Sequence, residues 1–285
     1  MDDLYGAMES LDLDEDVKRQ IMKESLQYIA NSIKFDKEPS FYITELHRIL
    51  KKISGIKVPF AERRFLCNKM GLELEKMLEP KIKKLSGFER FSILARWAIA
   101  GNALDFRTIG TGYDFDIDNM EKSLYEIAEV LEVDQLQEIY DRVKSAKRIL
   151  FIHDNVGEIV LDKMLIKCLR YESGGIVVSA VREGPITSDA TMDDAKQVKL
   201  SEAASKVIFA GPDTLGIRFE EMSDEFKDEM SKADLIFSKG QANFYVFSKH
   251  KSEVKCPVVL LLRTKCDYVS GVYDYGENIN IAAFL

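Results

Sequence analysis

From Arg148 onward, short apolar runs alternate with amphipathic stretches, and few folds accommodate that rhythm. The runs cover residues 149–153, 176–181, 206–210, 234–238 and 258–262, and helical spacing of apolar residues marks 158–171, 193–202, 220–232 and 242–249. A strand that is apolar at every position must be covered on both faces, and helical crossovers between parallel strands supply the cover. The pattern predicts an α/β fold, a three-layer α/β/α sandwich with a mainly parallel sheet.

The preceding part reads as helical. Residues 14–33, 41–54, 61–85 and 88–104 carry apolar side chains at three- and four-residue spacing, and Gly55, Pro59 and Ser86-Gly87 punctuate them. An irregular piece at 107–116 and two further helical runs, 119–131 and 135–145, lead into the first strand. The expected division is a mostly helical amino-terminal region, 1–112, packed on an α/β/α domain, 113–285, that carries the candidate site.

Composition narrows the function. With 285 residues, 46% of them hydrophobic, the chain can bury a substantial core. Lys and Arg total 40 against 48 Asp and Glu, a net charge of −8, and no long basic block is present, so nucleic acid is not an expected partner. The opening Met1-Asp2-Asp3 lacks the positive charge of a signal peptide, and the longest apolar stretch, 258–262, is too short to cross a bilayer. A cytoplasmic protein without membrane contact is expected. Cys67, Cys168, Cys256 and Cys266 form no C-x-x-C pair, and His47, His153 and His250 are scattered, which argues against disulfide and zinc frameworks.

The first strand stops at Asp154-Asn155, and Gly157, Glu158 and an apolar periodic run follow. A carboxylate and a carboxamide beside a helix amino terminus can hold a hard cation close to backbone N–H groups that favour an anion. The other strands end in Arg182-Glu183-Gly184-Pro185 with Thr187-Ser188-Asp189, in Gly211-Pro212-Asp213-Thr214, in Lys239-Gly240-Gln241, and in Arg263-Thr264-Lys265. A parallel sheet gathers all five ends on one edge, where open α/β proteins bind ligands.

Each residue also has a plainer role available. Asp154 or Asn155 could cap the next helix, Asp189 could be a turn residue before the Thr191-Met192-Asp193-Asp194 capping pattern, and Glu158 could simply favour the positive helix end. Lys265 beside an apolar strand needs an anionic partner, either a phosphoryl oxygen or a nearby acid. Gly101-Asn102, with Asp105 beyond, is compatible with a helix C-cap. If Asp154, Asn155 and Asp189 converge, their oxygens suit Mg²⁺ or Mn²⁺ better than zinc.

Several mechanisms are excluded by motif. No P-loop, dinucleotide-binding glycine fingerprint or G-x-S-x-G elbow is present, and a D-x-D phosphoaspartate site would need an acid where Val156 stands. Direct attack by a metal-activated water remains.

Six segments, GNALDF, HDNVGEIVLDK, VREGPITSDAT, GPDTLG, SKGQANF and LLRTKC, occur in this order along nearly the whole chain. Together they resemble the metal-dependent damage-control phosphatases. The resemblance implies a divalent metal, Mn²⁺, Co²⁺, Ni²⁺ or Mg²⁺, on Asp154, Asn155 and Asp189, with Asp154 and Asp189 in the chemistry. It implies a phosphate contact at Lys265, and supporting or substrate contacts at Asn102, Asp105, Glu158, Lys239, Gly240 and Gln241. The implied activity is hydrolysis of phosphate monoesters of small metabolites such as sugar phosphates. A non-catalytic sensor binding a sugar phosphate or nucleotide at the same edge is the alternative. One departure stands: the opening C-x-x-C common in the archaeal and bacterial branch is missing.

Overall fold

Parallel strands β2 (Arg148–Ile152), β3 (Ile176–Arg182), β4 (Lys206–Gly211), β5 (Leu235–Lys239) and β6 (Val258–Arg263) form the centre of a seven-stranded sheet. The computed structural model describes residues 1–34, 36–104, 117–264, 267–274 and 278–285. The sheet order is β1-β7-β6-β5-β2-β3-β4, where β1 is Val133–Asp134 and β7 is Asn280–Phe284. β7 runs antiparallel to β6 and pairs in parallel with β1, so these two run against the central five.

The chain winds from β2 outward to β3 and β4, then crosses back to place β5 on the other side of β2. β2 and β5 are therefore the strands where the winding reverses, and the crevice beyond their carboxyl ends is where such sheets receive ligands.

Alternation along each strand separates two cores. Ile149, Phe151, Phe237 and Leu261 face one way, in a cluster with Leu94 of α5 (Gly87–Ala100) and Leu165 of α8 (Glu158–Ser173). Leu150, Ile152, Ile236 and Leu260 face the other, with Phe226 of the helix Asp224–Lys232 and Phe247 of the helix Gln241–Lys249. The helices that precede β1 thus share a core with the sheet. The expected domain division at 112/113 lies outside the described residues.

A third cluster joins α1 (Asp2–Glu9), α2 (Glu15–Ser32), α3 (Pro39–Ser54) and the start of α4 (Ala61–Ile82). Its member from the α/β part is Val156, which explains an apolar residue in an otherwise polar strand end.

Some elements differ from the sequence expectation. The run 193–202 forms a helix over Met192–Gln197 and then a 3₁₀ turn at Leu200–Glu202; Lys199 between them adopts a left-handed conformation, φ 56°. Residues 101–104 continue as a 3₁₀ turn, with Gly101 right-handed at φ −56° rather than in the left-handed C-cap conformation. Among the described residues, no helix is long and apolar enough to cross a membrane.

Candidate active site at the ends of β2 and β5

Helix α8 begins at Glu158 with Gly157 as its N-cap residue and no side-chain cap, so neither Asp154 nor Asn155 is spent on capping. Both are buried. The Asn155 carboxamide is held on both sides: Nδ2 donates to Asp154 Oδ2 at 2.7 Å and to Glu158 Oε2 at 3.2 Å, while Oδ1 accepts from the Ser188 hydroxyl at 2.8 Å.

Asp189 is brought to this pair by the backbone. Residues 154–156 and 188–190 form a short antiparallel bridge, in which Val156 N donates to Ser188 O at 2.9 Å and Ala190 N donates to Asp154 O at 2.8 Å. Asn155 and Asp189 lie directly opposite each other. The turn pattern after Asp189 is a real capping box, but Thr191 and Asp194 form it, which leaves Asp189 for other partners.

Those partners are a cation, a backbone N–H and a hydroxyl. Asp189 Oδ1 accepts from Gly216 N at 2.9 Å and lies 3.4 Å from Arg182 Nε; Oδ2 accepts from the Thr187 hydroxyl at 3.0 Å. Arg182 is fully buried and also donates to Thr214 O and Asn243 Oδ1. Burial lowers its pKa, and Asp189 and Asp154 oppose that shift.

Of the supporting or substrate roles that the resemblance implies for it, Lys239 has the contacts of a supporting one. Its ammonium donates to Ala98 O at 2.7 Å, to Asp162 Oδ1 at 2.8 Å and to Glu158 Oε1, so all three N–H bonds are used inside the protein. Burial works against its charge, but Asp162 and Glu158 outweigh that and raise its pKa. Asp162 also meets His153 Nδ1 at 2.8 Å. A buried chain of polar contacts thus runs from His153 through Asp162, Lys239 and Glu158 to Asn155. Burial and the neighbouring Asp162 push the Glu158 carboxyl up, against the pull of Lys239.

Gly240 adopts φ +77°, and a methyl group there would coincide with the Asp154 carboxylate. Gln241 opens the next helix at the same edge and donates to Tyr245 Oη at 2.9 Å. Asn102 sits buried on the 3₁₀ turn packed against α8, and its Oδ1 has no partner among the described residues. Asp105 and Lys265 lie outside the described residues.

Sequence reasoning passed over Asp162 and His153. An acid four residues after Glu158, on a helix otherwise apolar on that face, was the available signal, because two buried acids on one face require a cation. Two of the thiols offer no rival nucleophile: burial pushes Cys168 up to about 12 and Cys256 to about 11. Among the described residues, no three His, Cys, Asp or Glu side chains converge as a ready metal cluster. The Asp154–Asn155–Asp189 set contains only two acids, plus a carboxamide.

The chain has known relatives along nearly its whole length. The chain is 32% identical to a damage-control phosphatase of Pyrococcus horikoshii over 90% of its length and 85% of that protein's. It is 27% identical to a damage-control phosphatase of Archaeoglobus fulgidus, over 93% of this chain and 88% of that one. The crystal structure of a DUF89 family protein from Pyrococcus horikoshii matches with a TM-score of 0.85 and 28% identity, covering 99% of this chain and 93% of that one. The family model described as the damage-control phosphatase ARMT1-like domain matches residues 2–280, and the chain belongs to that family.

Proposed function

We propose that the chain is a divalent-metal-dependent phosphatase that hydrolyses phosphate monoesters of small metabolites such as sugar phosphates. The observation that carries this reading is the antiparallel bridge that sets Asn155 opposite Asp189, next to Asp154, at the edge where β2 and β5 end.

The residues fit a hard cation. Asp154, Asn155 and Asp189 offer only oxygen ligands once the carboxamide turns its oxygen toward Asp154. That turn gives up the hydrogen bonds from Asn155 Nδ2 to Asp154 and Glu158, which the cation's attraction for the freed oxygens must outweigh, while the Ser188 hydroxyl, now donating to Asn155, can equally accept from it. Charge agrees: the buried carboxylates Asp154, Glu158, Asp162 and Asp189 face the buried cations Lys239 and Arg182. A divalent ion held by Asp154, Asn155 and Asp189 would supply Lewis acidity toward the phosphoryl group and lower the pKa of a water.

The protein's own groups do the rest. Glu158, fixed by Lys239, holds Asn155 in the metal-free chain; Arg182 and Gly216 N–H hold Asp189. The amino terminus of the helix starting at Gln241 opens beside Asp154 and favours an anion. Lys265 follows the end of β6 in sequence and is our assignment for the phosphate contact.

The test is release of phosphate from p-nitrophenyl phosphate and a panel of sugar phosphates with Mn²⁺, Co²⁺, Ni²⁺ or Mg²⁺, against EDTA. Metal-stimulated turnover that Asp154→Ala abolishes supports the enzyme. Thermal stabilisation by the esters without turnover supports a non-catalytic sensor.

A further inference from the structure

We infer that α4 is the scaffold of the candidate metal site and that Arg64 and Asn68 on it are positioning residues. The inference rests on the metal-phosphatase reading above. Both act on the backbone that carries Asn155 and Asp189.

Arg64 reaches the loop after β3. Its Nη1 donates to Thr187 O at 2.7 Å and its Nη2 to Asp189 O at 2.8 Å. These carbonyls flank Ser188, the residue whose own carbonyl receives Val156 N–H and whose hydroxyl holds Asn155. Nη2 also pairs with Asp194, the acid of the Thr191 capping box.

Asn68, one turn further along α4, ties down the other limb. Its Oδ1 accepts Gly157 N–H at 2.8 Å, and its Nδ2 donates to Asp194 Oδ1 and Gln197 Oε1, each at 2.9 Å. The two limbs of the Asn155–Asp189 bridge are thus fastened to the same face of one helix.

Close approach makes the same point independently. Gly71, seven residues after Arg64 and therefore on the same face, packs so tightly that a Cβ would lie 2.7 Å from Gly157 O and 2.8 Å from Val160 Cγ2. α4 could not be displaced from the Gly157 turn without opening a void beneath it. Arg64 is buried and Asn68 completely so, and side chains of these types are buried when all their partners are provided. Here the partners are site backbone and the Asp194 capping acid, with Gln197 besides.

The experiment uses the full chain and three variants: Asn68→Ala, Arg64→Met, and Leu78→Ala as a control on the same helix whose side chain lies in the apolar core. In metal-free protein, hydrogen exchange is followed at the amides of Val156 and Ala190, which close the bridge. Mn²⁺ affinity is followed by calorimetry. Asn68→Ala and Arg64→Met are expected to speed exchange at those two amides at least tenfold relative to the β5 amides. They are also expected to weaken Mn²⁺ binding by roughly 10- to 100-fold, the range for groups that orient ligands. Leu78→Ala is expected to lower thermal stability with neither effect.

Unchanged exchange at Val156 and Ala190 in Asn68→Ala, or the same losses in Leu78→Ala, would overturn the inference. So would Asn68→Ala binding Mn²⁺ within threefold of the unmutated protein. If Arg64→Met does not fold, Asn68→Ala decides alone. If the unmutated chain binds no Mn²⁺, the metal reading fails by itself, and the exchange arm still decides whether α4 holds the bridge.

Discussion

The Asp154 carboxylate fills the space that a side chain on residue 240 would occupy. Strand ends β2 and β5 are adjacent in the sheet, so this contact closes the crevice where the winding reverses. Gly240→Ala therefore both forces the carboxylate aside and strains a φ of +77°. With ψ 160° the residue lies in a region essentially reserved for glycine, where backbone strain alone costs about 1–3 kcal/mol. Misplacing a reacting group by about 1 Å costs about 100-fold in rate. The variant is expected to stay folded by circular dichroism while kcat on p-nitrophenyl phosphate falls by that order. Unchanged kcat would remove Asp154 from the chemistry.

Lys239 offers a test of the internal charge chain. Lys239→Met leaves Glu158 and Asp162 buried without their cation, which costs about 3–5 kcal/mol when one partner of a buried pair is lost. Adding Glu158→Gln removes one of the stranded charges. The double variant is expected to be more stable in urea than Lys239→Met alone. A lysine serving only as a phosphate contact would instead leave metal-free stability nearly unchanged.

The central sheet was legible because Phe151 and Ile152 are both apolar and face opposite cores, the mark of a strand covered twice. β1 and β7 were not: Val133–Asp134 is two residues long, and Asn-Ile-Ala-Ala-Phe carries too little pattern to separate a strand from a helix end. Within the site, Asp154 and Asn155 stood out because polar residues stop an apolar run at a strand end, whereas Asp189, seven residues beyond its strand, was singled out by the resemblance. Arg64 and Asn68 did not, since they belong to a helix more than 80 residues upstream and their partners are backbone groups, which leave no trace in side-chain pattern. The role of Lys239 was invisible for a related reason. A lysine after a strand reads as an edge cation until the fold places Glu158 and Asp162 underneath it.

His47 couples the helical layer to pH. Its ring is wholly buried, and burial lowers its pKa from 6.5 to about 4. Asp3 Oδ2 lies 2.7 Å from Nε2; the Asp189 carboxylate favours the charged ring and the Lys51 ammonium opposes it, and burial prevails. The folded state therefore prefers neutral imidazole, and the unfolded state binds the proton more readily. The resulting stability is complete above pH 6.5 and is lost as pH falls toward 4, by on the order of 3 kcal/mol. Urea titrations from pH 7 to 4 should show that decline, and His47→Gln should flatten it. Parallel curves for the two proteins would show that another group sets the acid limit.

Asn155→Asp separates the metal reading from a purely structural one. In the metal-free protein Asn155 Nδ2 is the donor between the carboxylates of Asp154 and Glu158. Replacing it with a third carboxylate turns two hydrogen bonds into repulsions, and burying such groups without partners costs about 1–3 kcal/mol or more. A divalent cation reverses the sign, because three oxygens then share one ion and the ligand set gains a negative charge. Metal-free Asn155→Asp is expected to melt below the unmutated protein, and saturating Mn²⁺ is expected to raise its melting temperature by more than it raises that of the unmutated chain. At pH 7 the extra shift should vanish with EDTA. A melting temperature that Mn²⁺ leaves unmoved in both proteins would mean that Asp154, Asn155 and Asp189 form a structural polar network and bind no cation.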